Sequence, residues 1–465
     1  MIVASQGCGE TFRIILVRRY GGQILILSKR GRVGLPTVTV PAQARLAQHI
    51  TPALNALLRC PTYCLFPIAH AALVTASHSY HVATTAHENS EVHNDFVWAP
   101  AESMLATTLE NTEDRIAIRF ALEHIGGSVR IEASGFFAQP GWLQEVLQWS
   151  QTALSRWGLK MNSHFRQYTA TQHFSLIRFE TDGPAVWFKA VGPPNLREFG
   201  ITLALAGLFP TYLPSIVAQE PHWNGWLSFE VDGCCLAKYS TLAQWYRVSR
   251  SLAALQIRST DKTPEILAAG ARDLRYPRLL CSVGPFIDLM TDLMARQSTA
   301  TPPALNKQEL QALKKALCDV LQHHIATHIL SSLNHLDLNA GNILVSETGC
   351  VFLDWTESAV SHPFLSLAYL VEHFRRSFGR DRHQEAMVVA SYVDRWRAFM
   401  PSDAISAGLR AAPLLAVFAQ AVAGEPWTDQ DLNNDLQRQG YLRSLTRRMK
   451  REAESRAVGR AKWVA

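Results

Sequence analysis

Residues 333–357 read LNHLDLNAGNILVSETGCVFLDWTE. The stretch sets His335, Asp337, Asn339 and Asn342 close together and places Asp354 at the end of the next apolar run. Gly341 and the asparagines favour a turn. Ile343–Val345 and Cys350–Leu353 read as two short strands joined through Glu347-Thr348-Gly349. Such a hairpin brings Asn342 and Asp354 to one edge. An amide oxygen beside a carboxylate is a hard donor set, suited to Mg²⁺ that phosphates already hold. Asp337 is far enough along the loop to face the opposite side, where it accepts a proton from a hydroxyl. One carboxylate that orients a nucleophile, with others that hold metal, is the division of labour phosphoryl transfer needs. Taken singly, His335 reads as a core histidine, and Asp337 or Asn342 as a turn cap. The spacing of the whole set is what points to chemistry.

The stretch resembles the catalytic and metal loops of the aminoglycoside phosphotransferase and choline kinase group, relatives of protein kinases. The family pattern is His-x-Asp-x-x-x-x-Asn, followed by an apolar hairpin ending in an Asp, often as Leu/Ile-Asp-Trp. His335, Asp337 and Asn342 match, Leu353-Asp354-Trp355 follows, and SHPFLSLAYLVEHF (361–374) is similar to the helix start that comes next. The resemblance implies an ATP- and Mg²⁺-dependent transfer of the γ-phosphoryl group to a hydroxyl of a small molecule. It makes Asp337 the base or orienting carboxylate, His335 a brace for the loop, and Asn342 and Asp354 the metal ligands. It also implies a lysine on an upstream strand and a glutamate on the helix that follows. Lys189 in AVWFKAV (185–191) sits inside an apolar strand, where a charge is costly without a partner. Glu198 lies on the next helix, so the resemblance makes Lys189–Glu198 the phosphate-positioning pair. GWLSFEVDG (225–233) becomes the hinge strand, whose backbone at Glu230, Val231 and Asp232 meets the nucleobase.

The chain departs from the pattern in four places. QYTATQHFS (167–175) holds no Gly-rich phosphate loop. Leu336 stands where many relatives carry Gly, Asn339 where many carry His, and Ser366 where many carry an Asp that props the catalytic loop. These departures leave open a second reading, a nucleotide-binding pseudoenzyme that serves as a regulatory or interaction module.

Elements must hold these residues in place. At 465 residues the chain calls for two or three domains, and 48% hydrophobic with 18% charged residues describes a globular protein. A net charge of +6 permits an anionic ligand such as a nucleotide without requiring a nucleic acid, which is not expected as a partner. The eight cysteines form no Cys-x-x-Cys pair and read as reduced, packed thiols. With no secretory pattern at the N-terminus and no membrane span, a cytoplasmic setting is expected. The longest clean apolar run near the C-terminus, AAPLLAVFAQAVAG (411–424), has the length of a core helix.

The expected architecture is α+β: a bilobal, protein-kinase-like fold with a β-rich small lobe at 141–233 and a helical large lobe at 234–465. In the small lobe, FSLIRFE (174–180) and AVWFKAV alternate around Asp182-Gly183 as a hairpin, after an amphipathic helix at 141–158. LREFGITLALAGLF (196–209) has helical spacing. In the large lobe, Asn306 and Glu309 form a capping box ahead of a helix with Leu310, Leu313, Leu317 and Leu321 on one face. Residues 297–304 read as a loop, and everything from Pro363 onward as helix. ARDLRYPRL (271–279) and the basic run from Arg443 to Lys462 read as solvated surface with local ion pairs.

Residues 1–130 form a small α/β domain. Two strands joined at Gly21-Gly22, the Leu-Pro after Gly34 and a helix after Pro41 resemble a degenerate Nudix fold. A helix at 110–127 should bury Ile116 and Phe120 with Leu122 or Ile125, and end at Gly126-Gly127. Between Thr11 and His87 there is no Asp or Glu, against eight Arg or Lys. Without carboxylates that segment builds no hydrolytic metal site, and a scaffold role is expected.

Overall fold

The computed structural model describes residues 9–18, 22–29, 32–41, 45–73, 78–86, 89–106, 109, 111–125, 136, 139–238, 240–326, 329–379, 381–423 and 435–457. Two compact units divide the chain. One comprises residues 1–199 and 215–230, the other 200–214 and 231–465.

The first unit holds two sheets. Strands β1 (Gly9–Arg18), β2 (Gln23–Lys29), β3 (Arg32–Gly34), β4 (Thr37–Pro41), β5 (Thr62–Pro67), β6 (Ser79–Thr85) and β7 (Phe96–Pro100) form one, in the order β3-β2-β1-β6-β5 with β4 on β1 and β7 on β2. β1 and β6 run parallel. Helices α1 (Ala47–Leu58), α2 (Ala101–Ala106) and α3 (Glu113–Ile125) accompany it. After α4 (Trp142–Ser155) come β8 (Met161–Ala170), β9 (Phe174–Thr181), β10 (Val186–Val191), β11 (Ile216–Glu220) and β12 (Gly225–Phe229), in the order β11-β12-β10-β9-β8. Helix α5 (Arg197–Leu208) follows β10; its first residues belong to this unit and residues 200–208 to the second.

The β9–β10 hairpin pairs Phe179 with Val186 across Asp182-Gly183, as alternation predicts. Ile177, Phe179, Val186, Phe188 and Ala190 all point into the core. That core is shared: Ile15, Leu65, Ile118, Trp142, Val146, Phe179 and Phe188 belong to one apolar cluster. Residues 1–130 and the strands of 141–230 therefore bury the same core. A fully buried Gln167 on β8 adds a polar seam, accepting from Cys64 N and donating to Cys64 O at 2.9 Å each.

Two expectations are corrected here. β12 stops at Phe229, so Glu230–Asp232 leave the sheet. In α3 the buried face is Asp114, Ala117, Ile118, Ala121 and Ile125, while Ile116 is exposed and Phe120 only partly covered. The small side chains let the helix approach closely, and Asp114 goes inside because Arg13 Nε and Nη2 meet it at 2.7 and 2.6 Å, with Tyr80 Oη at 2.9 Å. Gly126 and Gly127 lie outside the described residues.

The second unit is mostly helical. Its helices are α6 (Leu242–Arg258), α7 (Thr263–Ala268), α8 (Tyr276–Ala295), α9 (Lys307–Ala326), α10 (Phe364–Phe378), α11 (Arg382–Trp396), α12 (Ser402–Ala423) and α13 (Leu436–Ala457). Two small sheets sit among them: β13 (Cys234–Cys235), β16 (Ile343–Val345) and β17 (Cys350–Phe352), and β14 (Arg272–Asp273), β18 (Ser358–Ser361) and β15 (Ser332–His335), each in that spatial order. The capping box forms, with Asn306 N on Glu309 Oε2 at 2.8 Å and Glu309 N on Asn306 Oδ1 at 2.9 Å. Leu310, Leu313, Leu317 and Leu321 are buried. By length and composition α12 could cross a membrane, yet its apolar window is 72% buried and its residues belong to the main core. The basic run on α13 is more than solvated surface: Arg447 Nε bonds the Pro303 carbonyl at 2.9 Å and Arg448 pairs with Glu372.

Candidate active site

β15 delivers His335, and the chain then turns tightly. Asn339 N bonds the Asp337 carbonyl at 2.8 Å, Asn342 N bonds the Asn339 carbonyl at 3.0 Å, and Asn339 Oδ1 caps a 3₁₀ turn at Ala340–Asn342. The turn carries Asn342 back to Asp337. Asn342 Nδ2 donates to the Asp337 carbonyl at 3.0 Å and reaches Oδ2 at 3.4 Å, while Asn339 Nδ2 reaches Oδ1 at 3.3 Å. Asp337 therefore neighbours Asn342 instead of facing the opposite side, because the 3₁₀ turn folds the loop back on itself. Asp337 is exposed, and both amides reach its side-chain oxygens.

The β16–β17 hairpin pairs Ile343 with Phe352 and is closed by Leu353 N on the Asn342 carbonyl at 2.8 Å. That bond brings Asn342 and the residue before Asp354 to one end. Asp354 is exposed and adopts φ 64°, ψ 71°, a left-handed conformation that few residues other than Gly, Asn and Asp adopt. Thr356 Oγ1 donates to its Oδ1 at 2.9 Å. The donors here, carboxylate and amide oxygens, are those Mg²⁺ prefers. No group of three or more His, Cys, Asp or Glu residues able to hold a metal occurs among the described residues. A metal here would draw its other ligands from phosphate and water, as Mg²⁺ commonly does.

His335 is buried, and its Nε2 lies 2.8 Å from the Leu353 carbonyl. A carbonyl only accepts, so Nε2 carries the proton. Burial holds the imidazole pKa below its ordinary value, against the Leu353 carbonyl, Asp354 and Asp337, which raise it. The ring stands 4.7 Å from that of Trp355. His335 is thus a neutral brace between the two loops. Ser366 Oγ accepts from His335 N at 2.9 Å and donates to Asn334 Oδ1 at 2.9 Å, a partnership that the motif did not reveal.

In the first unit, Lys189 on β10 and Glu198 in the first turn of α5 form an ion pair, with side chains 16% and 3% exposed. The ammonium lies 5.3 Å from the Phe174 ring centre and 5.9 Å from that of Trp226. Glu230 does something other than expected. Its N–H is spent on the Ala185 carbonyl at 2.9 Å, and its carboxylate takes Arg178 Nε and Nη2 at 2.7 Å each and Trp187 Nε1 at 3.0 Å. The Arg178 hydrogen bonds lower the Glu230 pKa. Neither Val231 nor Asp232 lies in a strand. Trp187, two residues before Lys189, shares its face of the strand by simple alternation. Period-two alternation back from Lys189 is the sequence signal that marks it.

The β8–β9 turn has no amides to spare at three positions. Thr171 N bonds the Phe174 carbonyl at 3.0 Å, and His173 N and Phe174 N bond Thr171 Oγ1 at 3.2 and 2.9 Å. Downstream, Arg272 pairs with Glu357 at 2.8 Å and Arg275 with Asp273 at 2.7 Å, so both of these arginines are engaged within the protein.

Residues 239–401 match the phosphotransferase enzyme family. The match takes in the whole of the His335–Asp354 stretch. No curated protein matches the chain. Among solved structures, macrolide 2'-phosphotransferase from Brachybacterium faecium is 15% identical, with 65% of this chain and 98% of that one covered at a TM-score of 0.44. Ethanolamine kinase from Plasmodium vivax is 13% identical, with 77% and 96% covered at 0.43. Choline kinase from Cryptosporidium parvum is 9% identical, with 68% and 97% covered at 0.46. The family match does not reach residues 1–130, and the Nudix-like reading of that segment finds no support in these comparisons.

Proposed function

We propose that the protein transfers the γ-phosphoryl group of ATP or GTP to a hydroxyl of a small molecule, with Mg²⁺, in a cytoplasmic setting. The observation that carries this reading is the loop itself. Asp337, Asn342 and the residue before Asp354 are joined by hydrogen bonds in a segment that matches a phosphotransferase family. Asp337 orients the acceptor hydroxyl and takes its proton as the new O–P bond forms and the γ-phosphorus parts from the bridging oxygen of the leaving nucleoside diphosphate. Asn342 and Asp354 are the residues that would hold Mg²⁺, which offsets phosphate charge when bound. Lys189, fixed by Glu198, pairs with phosphate oxygens. Trp187, with its indole N–H held by Glu230, is an aromatic surface on the lysine's strand face against which a base can stack.

The test is a nucleotide-turnover assay against amino sugars, amino alcohols, sugars and nucleosides. Asp337→Asn should cut turnover by orders of magnitude and leave nucleotide binding nearly intact. Loss of nucleotide binding together with turnover would refute the assigned role.

A second reading is a nucleotide-binding module without catalysis. The β8–β9 turn favours it, since three of its amides are already satisfied internally. Tight nucleotide binding with no transfer to any acceptor would put this reading first.

A further inference from the structure

β15, the strand that ends in His335, is an edge strand. Among the described residues it pairs with β18 on one side and with no strand on the other. Buried edge groups need partners, and here side chains supply them. Leu333 N donates to Ser259 Oγ at 2.8 Å, and His335 N to Ser366 Oγ at 2.9 Å. Gln256 Nε2 donates to the Leu333 carbonyl at 3.0 Å. Gln256, Ser259, Asn334 and Ser366 are all 0% exposed.

Asn334 sits at the centre. Its Nδ2 donates to the Ser332 and Ser361 carbonyls at 3.1 Å each, and its Oδ1 accepts from Ser366 N and Oγ at 3.1 and 2.9 Å. Two carbonyls can only accept, so the amide cannot be turned round. Its oxygen must face Ser366. The Ser366 hydroxyl then gives its proton to Asn334 and offers a lone pair to His335 N–H. The hydrogens are all accounted for without a charged group.

We propose that Asn334 and Ser366 are positioning residues for the loop that bears Asp337, acting as one neutral anchor. The functional consequence rests on the phosphotransferase reading, whereas the anchor itself rests on the hydrogen bonds alone. His335 passes the constraint onward through the Leu353 carbonyl, and Leu353 N passes it to Asn342. A displacement at Ser366 thus reaches both Asp337 and the Asn342–Asp354 end. A carboxylate at 366 would confront Asn334 Oδ1, an acceptor that cannot rotate away, and would be buried beside it.

Full-length Ser366→Ala, Ser366→Thr and Ser366→Asp are compared with the parent by amide hydrogen exchange and thermal melting. Ser366→Ala should speed exchange of residues 333–338 at least tenfold while α12 changes less than twofold. Ser366→Thr should restore the parent rate. Ser366→Asp should melt below Ser366→Ala. Where the parent turns over, Ser366→Ala should lose at least tenfold in kcat with the nucleotide KM within twofold, and Ser366→Thr should recover it. Should Ser366→Ala not fold, Ser366→Cys, a weaker acceptor of similar size, takes its place. Unchanged exchange at 333–338, equal acceleration throughout the molecule, full kcat in Ser366→Ala, or a Ser366→Asp chain as stable as the parent each overturns the anchor. A parent without turnover that still shows the local exchange response supports the anchor and counts against the phosphotransferase reading alone.

Discussion

Asp354 holds a left-handed backbone at φ 64°, which costs a residue with a side chain on the order of 1 kcal/mol. Asn tolerates that conformation as well as Asp does, so Asp354→Asn removes charge with little change of backbone. If Asp354 holds Mg²⁺ with phosphate, ATP should raise the melting temperature far more with Mg²⁺ than without it. A ligand at a hundred times its Kd contributes about 2.7 kcal/mol, so the increment is readily measured. Asp354→Asn should erase most of the Mg²⁺-dependent part and keep the Mg²⁺-free melting point. A full Mg²⁺-dependent shift in the variant would remove Asp354 from the metal site. The hairpin that carries Asn342 and the residue before Asp354 to one end was legible in the sequence, because its two short strands and the turn between them are neighbours in the chain. The contact between Asp337 and Asn342 was not, because a 3₁₀ turn reverses the loop within a few residues and spacing alone does not say which way.

At the scale of elements, the β9–β10 hairpin and the α9 capping box could be read directly, since each rests on residues close in sequence. The α3 face could not. Its buried side is set by Arg13, a hundred positions away, which draws Asp114 inward and rotates Ile116 to the surface. Long-range partners also explain Ser366, whose partner Asn334 lies on a strand, and Glu230, whose partner Arg178 lies two strands over. The buried histidines are a further long-range effect. Burial lowers the pKa of His81 on β6 to about 4, and burial with His323, Arg456 and Arg410 lowers that of His324 on α9 to about 4. The unfolded chain protonates near pH 6.5 while the folded one resists. Their contribution is fully present above about pH 6.5 and lost as pH falls towards 4. By pH 5 each should cost roughly 2 kcal/mol. Glu230 and Glu309, whose pKa values hydrogen bonds lower, keep their charge between pH 7.5 and 5.0 and so do not offset this loss. Urea unfolding at pH 7.5 and 5.0 should therefore show a marked fall, smaller in His81→Gln. Equal stability at the two pH values would count against both histidines being neutral in the fold.

For the molecule as a whole, the first unit decides what residues 1–130 are for. Ile15, Leu65 and Ile118 share one core with Trp142, Val146, Phe179 and Phe188. Gln167 on β8 bonds both the N–H and the carbonyl of Cys64, and Tyr63 Oη bonds Gln144 on α4 at 3.0 Å. An aliphatic or aromatic side chain taken out of such a core costs roughly 1.5–3 kcal/mol, so a handful exceeds the margin of a typical domain. Removing residues 1–130 should therefore do more than delete an accessory domain. The remaining chain should aggregate, or bind a hydrophobic dye strongly and lose its cooperative melt. The arginines of the acid-free segment do not all stand ready for an anion either, since Arg13 is spent on Asp114 and Arg18 stacks on Trp98 at 4.1 Å. With no Asp or Glu from Thr11 to His87, the full chain should also show no Mg²⁺-dependent hydrolysis of nucleoside diphosphate derivatives that survives Asp337→Asn and Asp354→Asn together. A truncated chain that stays monomeric, melts cooperatively and binds Mg²⁺-nucleotide as the parent does would show that the shared core is dispensable, and residues 1–130 would have to be read as an independent domain after all.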